Sequence, residues 1–158
     1  LVLGGFQAGL TWWLILEKRE AFRQAFDRFN IEKVAQYDSE LIEQLMKQPR
    51  IIRNKAKITA AISNASKVLA IQEEFGSFNG FIWSFVDKQP IQNFFGSLAE
   101  LPAETEQSRA MSRELKERGF QFVGPTICYA FMQATGMVND HLVSCFRHKE
   151  LRKLDYIG

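Results

Sequence analysis

The sequence is poor in proline and cysteine. Of its 158 residues, 4 are Pro and 2 are Cys, beside 10 Gly. This low turn-residue content argues against a turn-rich β sandwich. Two cysteines do not make a disulfide framework and favour a reducing, intracellular compartment, so we expect a cytoplasmic protein.

Neither sign of charge dominates. There are 20 Lys and Arg against 18 Asp and Glu, for a net charge of +2, which permits an anionic partner without demanding one. Hydrophobic residues make up 46% and charged residues 24%, which excludes disordered and collagen-like chains. A chain of this length fits one domain and buries roughly 68–70% of its unfolded surface without disulfides. The 14 phenylalanines predict an aromatic-rich core.

A long membrane-spanning run is also lacking. The first 16 residues carry no charge, but a span needs about 20 apolar residues. Polar and glycine residues interrupt the stretch at Gly4, Gly5, Gln7, Gly9 and Thr11. No basic stretch comes before it, so we expect neither a membrane segment nor a signal peptide. The sequence begins inside an apolar pattern without Met, and we expect further residues before Leu1.

Helical periodicity, with no useful period-2 alternation, predicts an all-α protein. In the first two thirds of the chain, side-chain caps begin helices at Thr11 (running to Phe29), Asp38 or Ser39, Asn54 and Ser77. Residues 91–106 are predicted to be a loop.

The last third shows the same pattern. Ser108 is predicted to cap a helix that ends at Gly119, Pro125 to open the next one, and Gly136 to end it. A final helix is predicted to begin near Asn139 or Asp140 and to continue past Cys145.

The segment Gly119-Phe-Gln-Phe-Val-Gly124 joins two of these helices. Its glycines allow tight turns, and the free N–H groups of the following helix suit a phosphate oxygen. This is the logic of a helix-hairpin-helix element, which holds the DNA backbone and reads no base. The alternative is an ordinary helical hairpin with Phe120, Phe122 and Val123 packed in the core.

Taken whole, residues 115–141 closely resemble the type I 3-methyladenine-DNA glycosylase family. Three other segments agree in order: Phe6–Trp12 with Leu16–Glu20, Ile51–Ile58 with Asn64-Ala65, and Trp83–Val86. The resemblance implies a single all-α, helix-hairpin-helix glycosylase domain over residues 1–158, in one or two helical lobes. The family has roughly thirty more residues in front.

The resemblance also implies a pocket for a flipped base. Trp12 matches the family's pocket tryptophan, whereas Trp13 is predicted to lie in the core. Gly9 and Leu10 match the family's wedge loop that enters DNA, with Gln7 nearby. Gly119, Phe122 and Gly124 of the hairpin are the other expected DNA-binding residues. Taken alone, Trp12 and Leu10 could equally be core residues.

One departure from the family pattern affects the catalytic position. The family carries a glutamate that contacts the base, and Gly4 stands in its place. Other helix-hairpin-helix glycosylases carry an aspartate where Asn139 stands, but the resembled family lacks it too. Asp140 next to it is more simply a helix N-terminal charge.

His141 and Cys145 are spaced i, i+4, which would place both on one face of a helix and suits two ligands of a tetrahedral metal. Without further ligands they could be a polar histidine and a buried cysteine. By resemblance they are two of four ligands of a structural zinc that joins the termini. The other two ligands would then lie before Leu1.

These residues leave three hypotheses. The chain is a monofunctional glycosylase that releases 3-methyladenine from damaged double-stranded DNA, as a monomer. Alternatively, because of Gly4, it is a catalytically weakened or inactive helix-hairpin-helix DNA-binding protein. A structural all-α interaction protein is the third reading, and it would show no affinity for duplex DNA.

Overall fold

The chain folds into a mostly helical structure. The computed structural model describes residues 1–152, and about 64% of the chain is helical. The α-helices are α1 (Val2–Gln7), α2 (Trp12–Glu17), α3 (Arg19–Ala25), α4 (Ile31–Ala35), α5 (Ser39–Lys47), α6 (Lys55–Phe75), α7 (Phe78–Trp83), α8 (Glu106–Glu117), α9 (Pro125–Ala134) and α10 (Phe146–Leu151). Short 3-10 turns cover Asp27–Phe29, Ser84–Val86 and Leu98–Glu100. Within residues 1–152, none of the helices has the length and hydropathy to cross a membrane.

Four predicted helix caps are confirmed. The side chains of Thr11, Asp38, Asn54 and Ser77 each accept the backbone N–H three residues further on. These bonds satisfy N–H groups that have no partner inside their helix, so they fix where α2, α5, α6 and α7 begin.

The continuous helix predicted from Thr11 to Phe29 is wrong. The chain bends at Lys18, which has φ −91° and ψ −1° and separates α2 from α3. The Lys18 Nζ donates to the Arg50 carbonyl at 3.2 Å, a long-range contact that local propensity does not reveal. After the bend, the rings of Phe22 and Phe26 pack against Phe6 at centroid distances of 4.5 and 5.9 Å.

Ser108 does not cap α8. Thr105 is the cap, because its hydroxyl accepts the Ser108 N–H at 3.2 Å. The Ser108 hydroxyl accepts the Thr105 N–H in return at 2.9 Å. This reciprocal capping box starts the helix three residues before the predicted position.

The predicted final helix is also wrong. Val138–Asn139 forms strand β2, which pairs in parallel with strand β1 (Ile91–Gln92) inside the predicted loop. Cys145 is the N-cap of α10, so the helix begins after it. The strict all-α prediction thus becomes a mostly helical fold with one small parallel sheet.

Buried side chains form two clusters, and α6 belongs to both. Its first half packs with α1 to α5, and its second half packs with α7, α8 and α9. The first cluster is Phe6, Ile15, Phe22, Phe26, Val34, Leu45, Ile51, Ile58, Ala61, Ile62 and Ala65. The second includes Val68, Ile71, Phe81, Met111, Leu115, Val123, Met132 and Met137. The division of the chain into one or two lobes stays a prediction.

Candidate functional site

A cleft of about 590 Å³ opens between the two clusters. Its walls come mainly from α1, α2, α6 and α9, with residues of α3, α4 and α7, and they bring Gly4, Trp12 and Asn64 together. The lining is largely apolar. Arg19 is the one charged residue among those that line the cleft in the described part of the chain, and no carboxylate lines it there.

Gly4 and Trp12 share this cleft, as the predicted pocket requires. Trp12 is 44% exposed and therefore offers an accessible ring rather than core packing. A Cβ at Gly4 would lie 3.2 Å from Ile127 Cγ2, so a side chain there needs a small movement of Ile127. Trp13 is 71% exposed, so its predicted place in the core is wrong: it lies on the outer side of α2.

The turn between α1 and α2 carries the predicted wedge. Gly9 is exposed and has φ +76°, a conformation that glycine adopts without a steric cost. The Gln7 Nε2 donates to the Leu10 carbonyl at 3.0 Å, and the Leu10 N–H donates to the Gln7 carbonyl at 2.7 Å. Leu10 is half-buried against the first cluster. The turn is therefore held closed by Gln7.

Lys57 fastens the same turn to α6. Its buried Nζ donates to the Phe6 carbonyl at 2.8 Å and to the Ala8 carbonyl at 2.5 Å. Burial lowers the pKa of this amine below its usual value. Carbonyls at the end of a helix have no partner within it, and Lys57 supplies one for α1. The sequence analysis gave Lys57 no role beyond its place in the Ile51–Ile58 motif.

The hairpin between α8 and α9 begins at a helix end of Schellman type. The Phe120 N–H donates to the Leu115 carbonyl at 3.0 Å, and the Gly119 N–H donates to the Lys116 carbonyl at 2.9 Å. Gly119 has φ +84°, as this motif demands. Phe120 is buried, which fits the core alternative for that ring.

The structure corrects two expectations about the hairpin, the need for a glycine at Gly124 and the core alternative for the ring of Phe122. Gly124 caps α9 with φ −60° and ψ 160°, which any residue can adopt, so the turn itself does not require a glycine there. Apart from its chain neighbours, no protein atom lies within 4 Å of a Cβ at Gly124, so this position has room for a side chain. Phe122 is 36% exposed with φ +55°, so its ring lies at the surface of the hairpin tip.

Two polar side chains of neighbouring helices hold the hairpin, one at the surface and one in the interior. The Asn64 Nδ2 donates to the Gln121 carbonyl, and the Gln121 N–H donates to Asn64 Oδ1, each at 2.9 Å. The buried Ser112 hydroxyl donates to the Val123 carbonyl at 2.6 Å. Because Asn64 also lines the cleft, one side chain connects the cleft to the hairpin. Sequence reasoning missed this role.

Asp140 is not a helix N-terminal charge, since no helix begins there. Its carboxylate accepts hydrogen bonds from the Tyr129 hydroxyl, the Gln133 amide at 2.8 Å and the Asn93 amide at 2.7 Å. These bonds join α9 to the segment after β1. Burial and the bond to Asp140 raise the Tyr129 pKa well above its usual value.

His141 and Cys145 lie in the loop before α10 rather than on one helix face. Even so, the Cys145 Sγ and the His141 Nδ1 are 3.8 Å apart. Two ligands of a tetrahedral zinc, at about 2.3 Å for sulfur and about 2.0 Å for nitrogen, are separated by about 3.6 Å. The pair thus fits two of four positions. Among residues 1–152 no group of three or more His, Cys, Asp or Glu side chains gathers as a metal site.

Comparison with known proteins agrees over nearly the whole chain. The sequence model of the methyladenine glycosylase family matches residues 1–148. DNA-3-methyladenine glycosylase 1 of Escherichia coli is 47% identical and DNA-3-methyladenine glycosylase of Haemophilus influenzae is 45% identical, each over 92% of this chain and 78% of the relative.

Solved structures agree as well. A crystal structure of 3-methyladenine DNA glycosylase I matches with a TM-score of 0.89 at 48% identity, over 92% of this chain and 80% of that one. A tyrosine-to-phenylalanine variant of such an enzyme, in complex with 3-methyladenine, has the same TM-score at 34% identity, over 92% of this chain and 78% of that one.

Proposed function

This chain belongs to the methyladenine glycosylase family, and from that membership we infer that it is a base-excision repair enzyme. It hydrolyses the N-glycosidic bond of 3-methyladenine in alkylated DNA. The single observation that carries this function is the likeness over 92% of the chain to enzymes of that name. The open cleft that holds Trp12 supplies a place for the base.

Cleavage of the N-glycosidic bond needs little activation by the protein once the base is bound. Methylation at N3 gives adenine a positive charge, so the base is already a good leaving group. The enzyme must extrude the nucleotide, bind the base and stabilise a cationic sugar before water attacks. An exposed tryptophan face attracts a flat cation by stacking and cation–π contact, and the exposed ring of Trp12 supports a role in binding the base.

Gly4 is the observation that favours a second candidate. It lines the cleft at the position of the family's glutamate, and no carboxylate lines the cleft within the described residues. A cationic base then meets no counter-charge, so the hydrolysis is slow, or the protein binds DNA without releasing the base. Trp12 and the hairpin would serve DNA binding in either case.

The hairpin serves as the element that holds double-stranded DNA. Gly124 is the N-cap of α9 and has open space at its Cβ position, and Phe122, two residues earlier, is exposed. A helix N-terminus with free N–H groups binds a phosphate oxygen without reading sequence. Gln7, Gly9 and Leu10 supply the wedge that fills the space left by the extruded base. A monomeric state and a cytoplasmic location stay predictions.

We also propose that His141 and Cys145 are two of the four ligands of a structural zinc. The His141–Cys145 distance and the nitrogen and sulfur donors suit this metal, and the proposed site takes its two further ligands from residues before Leu1. A zinc held by four protein ligands stabilises the fold and takes no part in the hydrolysis.

Base release tests this function. Duplex DNA methylated to contain 3-methyladenine is incubated with excess protein, and the freed base is identified by chromatography. We expect 3-methyladenine in the soluble fraction and an abasic site in the DNA. Tight DNA binding with no release would support the second candidate, and absence of DNA binding would refute both.

A further inference from the structure

The densest run of positive charge without an acidic residue lies in one short segment. Residues 47–57 contain five lysines and arginines and no acidic residue. The other 15 basic residues are outnumbered by the 18 acidic ones, so the rest of the protein is net negative. Electrostatic attraction therefore favours the binding of an anionic partner at this segment.

The segment lies beside the turn that joins α1 and α2. At one end, the Arg50 carbonyl accepts the Lys18 Nζ at 3.2 Å, which ties residue 50 to the end of α2. At the other end, Lys57 binds the Phe6 and Ala8 carbonyls at the end of α1. The turn and α2 lie between these two attachment points along the chain, so the segment is tied to the end of α1 at Lys57 and to the end of α2 at Arg50.

Except for the buried Lys57, the charged groups of the segment face water. Ile51 is 3% exposed and anchors the segment in the first core cluster, whereas Arg50, Arg53 and Lys55 are exposed. In the described part of the chain, neither these three side chains nor Lys18 forms an ion pair. By contrast, Arg118 beside the hairpin is bound to Glu74 and Glu114, so its charge is already compensated.

We propose that Lys18, Arg50, Arg53 and Lys55 form a second phosphate-binding surface, the basic strip, which holds the DNA backbone next to the wedge turn. This proposal rests on the proposed function and adds a site apart from the hairpin. Two separate contacts with the DNA backbone, one at the hairpin and one at the strip, hold the duplex at two points. Arginine and lysine side chains that contact phosphate position DNA without reading its sequence.

The test is the salt dependence of binding to an undamaged duplex, measured by fluorescence anisotropy. The strip variant combines Arg50→Gln, Arg53→Gln and Lys55→Gln. Each lost phosphate contact makes the plot of log affinity against log salt shallower by about 0.9. We therefore expect a slope reduced by about 2 to 3 and weaker binding to every sequence.

A matched control removes the same charge elsewhere, with Lys88→Gln, Arg147→Gln and Lys149→Gln, and should retain the wild-type slope. A charge-preserving variant with Arg50→Lys and Arg53→Lys, and Lys55 unchanged, should also have the wild-type slope. Thermal unfolding of each variant checks that the fold is intact. The basic strip is refuted if the strip variant keeps the wild-type slope, or if the slope of the control falls by as much. In that case, base release by the wild type still supports the proposed function. If the wild type binds no duplex, both proposals fail.

Discussion

Asn64 and Gln121 exchange two hydrogen bonds of 2.9 Å, one in each direction, between the middle of α6 and the tip of the hairpin. Asn64 also lines the cleft with Gly4 and Trp12. The surface proposed to hold DNA and the pocket proposed to take the base are therefore connected through one side chain, which fixes their relative position.

Asn64→Leu should loosen this connection. It removes both bonds and leaves two polar backbone groups at Gln121 dependent on water, at a cost of about 1–2 kcal/mol in the free energy of unfolding. Ser66→Ala, at an exposed position on the same helix, should cost little. Amide exchange of the Gln121 N–H checks the mechanism, and unchanged protection in Asn64→Leu would contradict it.

Lys57→Met should be destabilising, since two carbonyls at the end of α1 lose a buried partner. We expect a loss of about 1–3 kcal/mol by urea unfolding at neutral pH. Lys55→Met is the matched change at an exposed lysine two residues earlier, and it should leave stability nearly unchanged. An equal loss in both variants would show that the contacts of Lys57 are not the cause.

The same lysine predicts a pH dependence. Burial lowers the Lys57 pKa below 10.5 in the folded protein, so the folded state releases this proton at a lower pH than the unfolded chain. Between the two pKa values the unfolded chain binds more protons, and the contribution of Lys57 to stability rises with pH. The stability difference between wild type and Lys57→Met should therefore widen as the pH rises through the folded pKa towards the unfolded value of 10.5. A difference that narrows would contradict the sign.

Local signals predicted much of this fold. Side chains that can accept a hydrogen bond stand directly before the apolar pattern at Asp38, Asn54 and Ser77, and helices begin there. Gly119 and Pro125 mark helix ends because their backbone preferences are intrinsic. At Ser108 the local reading failed because Thr105 offers a better cap within the same turn.

Long-range contacts account for the other failures. The pairing of Val138 with Ile91 converts a predicted helix start into a strand, and no local pattern contains that information. For the same reason, His141 and Cys145 lie in a loop and not on the predicted helix, although their side chains are close together. Lys57 and Asn64 were present only as members of a motif, since their roles depend on backbone groups about 50 residues away.

Gly124→Pro tests the hairpin. Its φ of −60° suits proline, so the substitution removes one N–H donor at the start of α9 without straining φ. We expect weaker binding to damaged and undamaged duplexes by the same factor, because the lost contact is to phosphate. Gly124→Ala keeps the N–H and meets no protein atom, so it controls for stability. Full nonspecific affinity in the proline variant would exclude this role for Gly124.

Metal analysis of the full-length protein tests the zinc proposal. We expect one zinc per chain, lost in His141→Ala and in Cys145→Ala, with a lower melting temperature in both. Cys128→Ala is the control, since Cys128 is buried in the second cluster with its Sγ 3.4 Å from the Val123 carbonyl. Zinc that persists in Cys145→Ala would remove this residue from the site.

Gly4→Glu should increase the rate of base release. A carboxylate in the cleft adds a charged hydrogen bond to a cationic base, worth about 1.5–3 kcal/mol. At about 1.4 kcal/mol per factor of ten, this predicts a gain of about one to two orders of magnitude. The new side chain must displace Ile127 slightly, so Gly4→Gln, with the same size and no charge, is the matched control.

The most direct test of the account is the single-turnover rate of 3-methyladenine release from alkylated duplex, measured side by side for the wild type, Gly4→Glu and Gly4→Gln. We predict slow release by the wild type, release faster by about one to two orders of magnitude in Gly4→Glu, and little gain in Gly4→Gln. Equal rates in all three folded proteins would contradict the claim that the cleft at Gly4 and Trp12 binds the base.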